Sequence, residues 1–204
     1  GNTLVQMDSA GVVVTERSFG DGAGRGRLVA EPVVTEALHS GTREILFAGG
    51  DGYLRLLSSS GEERWKVEVG SPVLSAPLVL PANDLNPPAI VCTTFRQMVF
   101  CIDAEGRELW RRDFNANMQG APLAADMDGD GYEEIIVSAA REKRTYVLRR
   151  DGRVQGIAPF SSVWAAYPAV VHGEDGSSLI VVGSLDERLS AVRPVPVSTG
   201  WESS

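Results

Sequence analysis

The chain has 204 residues, 43% of them hydrophobic and 23% charged, with 22 Gly and 11 Pro. That suffices for a core of ordinary size and supplies the turn formers of a β protein. The formal net charge of −8 argues against a nucleic-acid binder, which needs a basic patch for phosphate, and no apolar run reaches the roughly 20 residues of a membrane-spanning helix.

In chain order, residues 3–18 read as two strands with Gly11 in the turn between them. The glycine-rich segment 20–27 then lengthens the interval from Gly11 to Pro32 to 21 residues, where the sibling Gly-to-Pro intervals are 16. No helix follows it to supply the N-terminal dipole of a phosphate loop. It therefore reads as a surface insertion, with Arg25 and Arg27 as candidate partner contacts.

From there Pro32, Pro77, Pro122 and Pro168 recur at intervals of 45, 45 and 46 residues. Each proline opens a short strand and leads to a dense apolar run at 45–47, 90–92, 135–137 or 179–182. A third run follows at 53–57, 98–102, 145–148 or 189–192, and a fourth holds Trp65 or Trp110. Gly156 stands where the third repeat should carry its Trp, and Trp201 marks a candidate last strand. Runs this short, bounded by Gly, Asp and Ser, are strands rather than helices. Asp51-Gly52 reads as a two-residue type I′ hairpin turn. Trp164 and Tyr167 flank the entry to the fourth unit, where they either pack on the neighbouring unit or contact a sugar or peptide.

Four antiparallel strands repeated every 45 residues predict an all-β fold, a β-propeller of about four four-stranded blades. It occupies one domain over residues 1–204, with residues 1–19 completing a neighbouring blade. The last unit reaches a third strand that residues 3–18 already supply. Four blades then fail to close simply, so the expectation is an arc of a larger propeller or a ring closed by a second copy.

One loop carries definite chemistry. Asp126-Met127-Asp128-Gly129-Asp130-Gly131-Tyr132-Glu133-Glu134 places carboxylates at positions 1, 3, 5 and 9, with Gly at 6. Ca²⁺ takes six to eight hard oxygens, and alternate carboxylates of a tight loop converge on one point. Asp126, Asp128, Asp130 and Glu134, with the Tyr132 backbone carbonyl, are the expected ligands of a structural Ca²⁺. Cys92 and Cys101 leave two readings open. Transferring the Asp51-Gly52 turn by one repeat sets them opposite each other, close enough for a disulfide; alternatively, they are reduced thiols packed as small apolar residues.

The calcium loop followed by Ile135-Ile136-Val137 resembles that of FG-GAP/VCBS-type propellers, such as those of integrin α-chains. The phrase from Cys101 to Trp110 resembles the PQQ-type propeller repeat. Together these resemblances cover nearly the whole chain blade by blade. They imply a non-catalytic module for protein interaction, adhesion or scaffolding, with a protein or carbohydrate partner and an extracellular, periplasmic or luminal setting. The alternative is the scaffold portion of a propeller enzyme, a polysaccharide lyase or hydrolase or a PQQ-like protein, whose active site lies elsewhere. His39 and His172 are too isolated to suggest a zinc or acid–base site, and no nucleophile motif is present.

Overall fold

Each proline of the repeat stands immediately before the innermost strand of a sheet. There its missing N–H removes no ladder bond, and its fixed φ suits an edge position. A computed structural model of the protein describes residues 2–7, 9–19, 30–39, 41–118, 120–162, 168–174 and 177–197. Strands β1 (Asn2–Met7) and β2 (Val13–Phe19) pair antiparallel. Blade one follows as β3 (Val33–Thr35), β4 (Glu44–Ala48), β5 (Tyr53–Ser58) and β6 (Glu63–Glu68). Blade two is β7 (Leu78–Leu80), β8 (Ala89–Thr93), β9 (Met98–Asp103) and β10 (Glu108–Asp113). Blade three is β11 (Leu123–Ala125), β12 (Glu134–Ala139), β13 (Arg144–Leu148) and β14 (Val154–Pro159). Among the described residues blade four has three strands, β15 (Ala169–His172), β16 (Ser178–Gly183) and β17 (Leu189–Val192). The chain then returns as β18 (Val195–Pro196) to the free edge of β14.

Apart from the returning β18, neighbours in sequence are neighbours in each sheet, the meander of a propeller blade. Among the described residues the first and last sheets do not pair, so the sheets form an open arc. None of the described structure is a helix long and apolar enough to cross a membrane.

Strand two of each blade is densely apolar because both its faces are covered. Along β8 and β12 every residue is buried. Ile90 and Cys92 enter a core shared with Leu46, Leu54 and Leu56 of blade one. Val91 and Cys101 face the other way, into a core with Ile135, Val137 and Leu148. Ile136 and Val147 in turn meet Ile180 and Val182 of blade four. Each such side chain contributes about 1.5–3 kcal/mol on burial, and every cluster needs two blades. No blade could therefore be stable alone.

The tryptophans and glycines of the repeat are a second bond between blades. Trp65 Nε1 donates to the Ala104 carbonyl at 2.8 Å, and Trp110 Nε1 to the Arg150 carbonyl at 2.9 Å. Both carbonyls lie in the outer turn of the following blade, two residues before Gly106 and Gly152. These glycines are in the left-handed region, at φ 81° and 82°. A Cβ on Gly106 would stand 3.0 Å from the Trp65 ring, and one on Gly152 2.8 Å from the Trp110 ring. At the first junction Gln6 takes the tryptophan's part, donating to the Ser59 carbonyl at 2.9 Å. The third repeat lacks its Trp because β18 lies there: a Cβ on Gly156 would come within 3.2 Å of Pro194.

Two expectations about turns are corrected. Gly49 N donates to the Tyr53 carbonyl at 3.1 Å, so the hairpin loop is the three residues Gly50-Asp51-Gly52. Gly52 at φ 80° supplies the closing left-handed residue, the pattern of a three-residue hairpin with a bulge. The matching loop of blade two is Phe95-Arg96-Gln97, closed by Thr94 N to the Met98 carbonyl, with Gln97 at φ 68°. One residue more in the loop shifts the register by one. Cys92 therefore pairs with Phe100 and Cys101 with Val91. A one-residue slip exchanges the faces of a strand, so the cysteines point into different cores and are free thiols, not a disulfide.

Candidate metal centre

The loop between β11 and β12 is folded by its own aspartates. Asp126 accepts the Gly129 amide at 2.7 Å through Oδ1 and the Gly131 amide at 2.9 Å through Oδ2. Asp128 accepts Asp130 N at 3.3 Å, and Asp130 accepts Tyr132 N at 2.8 Å. Gly129 and Gly131, at φ 80° and 85°, make the two reversals that wind the chain around one point. As a result Asp126, Asp128 and Asp130 each bring a carboxylate oxygen within 4.8 Å of the others. Like charges this close repel unless a cation lies among them. Among the described residues no Lys or Arg pairs with any of the three; the one side-chain donor is Gln155 Nε2, 2.6 Å from Asp128 Oδ2.

Glu134 stands apart from that trio. It is 5% exposed at the start of β12 and accepts the Met127 amide at 2.8 Å. Burial, together with the charges of Asp128, Asp130 and Asp126, pushes its carboxyl up to about 7. Tyr132 joins the loop through its amide, which Asp130 holds. Of the five expected ligands, three side chains are thus brought together, and Glu134 lies beneath them.

Blade one shows how the same position is handled without the cluster of aspartates. Glu44 pairs with Thr35 as Glu134 pairs with Ala125. Its side chain is fully buried, yet Arg64 Nε lies 2.9 Å away and His39 Nδ1 3.0 Å. Arg64 follows Gly61 by three residues, and Gln155 follows Gly152 by three. Blade three therefore carries the acid of blade one, three further carboxylates, and a neutral amide at the position of the guanidinium. In blade two the acid is Ala89. Blade four has Ser178, whose Oγ donates to the Asp126 carbonyl at 3.2 Å and meets His172 Nδ1 at 2.9 Å.

Gln155, Arg64 and Ser178 escape motif reading because they lie far from the loop in sequence. The shared offset of Glu44 and Glu134 from Pro32 and Pro122 is the signal that could have linked them. The donor set fits a hard divalent cation of the Ca²⁺ type: all oxygen, carboxylate-rich and flexible. Trp164, Tyr167, Arg25, Arg27 and Trp201 lie outside the described residues. Cys92 and Cys101 are buried thiols that desolvation pushes up to about 12, unfit as nucleophiles or metal ligands at neutral pH.

No protein-family model matches the sequence, and no curated protein sequence does. Solved structures do. BBS1N, crystallised in complex with ARL6DN, is 12% identical with a TM-score of 0.63, over 97% of this chain and 59% of that one. BamB from Moraxella catarrhalis is 14% identical with a TM-score of 0.50, over 94% of this chain and 67% of that one. The quinohemoprotein alcohol dehydrogenase from Comamonas testosteroni is 13% identical with a TM-score of 0.56, over 87% and 35% respectively. This chain thus spans about three fifths of BBS1N and about a third of the dehydrogenase. At such identities the likeness carries the fold and not the activity. The resemblance is to the propeller of BBS1N and to PQQ-like propeller proteins, at the level of the repeat.

Proposed function

We propose that the chain is a non-catalytic propeller module for protein interaction or adhesion, whose third blade is held by one structural Ca²⁺. The observation that carries the metal is the comparison of Glu134 with Glu44. Both are buried acids at one position of the blade, and Glu44 has two basic partners. Glu134 has none among the described residues and lies beside three more carboxylates. A cation supplied from solution completes the balance that Arg64 completes in blade one.

Asp126, Asp128 and Asp130 would hold the ion, with Glu134 behind them and the Tyr132 carbonyl available at the seventh position of the loop. The ion would supply charge neutralisation and cross-link the loop. Ca²⁺ is favoured over Mg²⁺, which demands near-octahedral geometry and keeps several waters. We place the module in an extracellular, periplasmic or luminal setting, where Ca²⁺ sites working at about 10⁻⁴–10⁻³ M are filled. The interaction role is supported by BBS1N, a propeller of related fold crystallised with a protein partner.

The test is calorimetric unfolding in Ca²⁺ and in chelator. At 100 times its dissociation constant a ligand of the folded state adds about 2.7 kcal/mol. In a chain of this size that raises the midpoint by about 5–10 °C. Asp128→Ala should remove the difference. Midpoints that coincide in Ca²⁺ and chelator would refute the metal.

A further inference from the structure

Seven described arginines of this acidic chain pair with its own carboxylates, among them Arg43 with Glu36, Arg55 with Asp51, Arg64 with Glu44, Arg107 with Asp103 and Arg111 with Glu108. Arg96 and Arg141 do not. Both are exposed, neither has a hydrogen bond or ion pair among the described residues, and they line one cleft. Its volume is about 420 Å³, within the usual range for a ligand site, and Phe95, Gln97, Asn117 and Glu142 complete its walls.

The cleft is built from two tied-down hairpin turns. Phe95 N donates to the Pro72 carbonyl of the preceding blade at 2.8 Å, and Phe114 N to the Gln97 carbonyl at 3.0 Å. The blade-three turn closes through Lys143 N to the Ala140 carbonyl at 3.2 Å. Asn117 N donates to Glu142 Oε1 at 3.2 Å, joining the two blades across the cleft. Arg96 and Arg141 therefore stand on fixed supports. The corresponding turns of blades one and four carry Asp51, Asp186 and Glu187, so the basic character is local to this junction.

Two features converge here. Two guanidinium groups suit carboxylates, which they hold in a planar fork. The Phe95 ring, on a residue 46% exposed, offers an apolar surface beside them. Glu142 is one negative charge against two positive ones, and one of its oxygens is engaged with Asn117. An extended peptide has the complementary parts: acidic side chains for Arg96 and Arg141 and an apolar neighbour for Phe95.

We propose that this cleft docks an acidic peptide segment of a protein partner, an inference that rests on the interaction-module reading. The probe is a fluorescein-labelled octapeptide of alternating Glu and Leu, read by fluorescence anisotropy in Ca²⁺ and in chelator. Its counterpart with Gln for Glu should bind at least about tenfold more weakly. The double variant Arg96→Ala/Arg141→Ala should weaken the acidic peptide by a similar factor while keeping the wild-type unfolding midpoint. Arg107→Ala, on a paired arginine elsewhere, should leave binding unchanged. Equal binding of the two peptides, or indifference to the double variant, overturns the assignment. So does preferential binding of an acidic oligosaccharide at the same arginines. A Ca²⁺-dependent midpoint without peptide binding removes only the cleft; an absent midpoint shift with peptide binding intact removes only the metal.

Discussion

Replacing Gly152 by Ala tests whether blades are locked together by the tryptophan–glycine contact. Gly152 has φ 82°, and an L-residue there costs about 1–2 kcal/mol from its own backbone. The added Cβ would lie 2.8 Å from Trp110 Cδ2 and 3.0 Å from Cε2 and Cε3, so the indole must move. Displacing a packed ring costs about 1–3 kcal/mol. Loss of the 2.9 Å bond from Trp110 Nε1 to the Arg150 carbonyl adds about 0.5–1.5 kcal/mol. Together these give about 2.5–6.5 kcal/mol, or on the order of 10 °C in the calorimetric midpoint. Gly70 is the control, because at φ 74° it has nothing within 4 Å of an added Cβ. Gly70→Ala should show the backbone cost alone, about 1–2 kcal/mol. In the double variant Trp110→Ala/Gly152→Ala the clash disappears, so the two losses should sum to more than the measured total. If Gly152→Ala is no worse than Gly70→Ala, the contact does not couple the blades.

Other outcomes follow from the charge and thiol chemistry. Burial raises the Asp51 carboxyl, but the Arg55 guanidinium and the Tyr53 amide outweigh it and hold the group below its ordinary value. Its stabilising share should be complete above about pH 4 and fade as pH falls through the lower folded value. Asp51→Asn should lower stability at pH 7 and flatten that acid limb; parallel wild-type and variant curves between pH 2 and 5 would contradict the pair. Gln155→Arg places a guanidinium where Arg64 serves blade one, and should shrink the Ca²⁺-dependent midpoint shift by more than half. A full-sized shift in that variant would separate the two blades' chemistry. Ellman titration of unfolded, unreduced protein should count two thiols, and native protein should react far more slowly because burial pushes both thiols up to about 12. Finding none would overturn the β8–β9 register.

Blade count, strand order and the acidic loop are legible in the sequence because each rests on local spacing. The prolines mark the innermost strands, since only there is a missing donor harmless. Asp126, Asp128 and Asp130 converge through bonds spanning five residues or fewer. What depends on parity or on distant partners was decided only by the tertiary structure. One extra residue in the Phe95-Arg96-Gln97 turn sends Cys92 and Cys101 to opposite faces, and no composition reveals a one-residue register. The neutralisation of Glu44 by Arg64, the docking of Trp65 on a carbonyl of the next blade, and the return of β18 over Gly156 join residues 20 to 40 positions apart. Such pairings form because each blade has two apolar faces and can bury them only against its neighbours. The period therefore fixed the number of units, and the packing between units decided how buried charge is answered: a guanidinium meets the buried acid of the first blade, and none among the described residues meets that of the third.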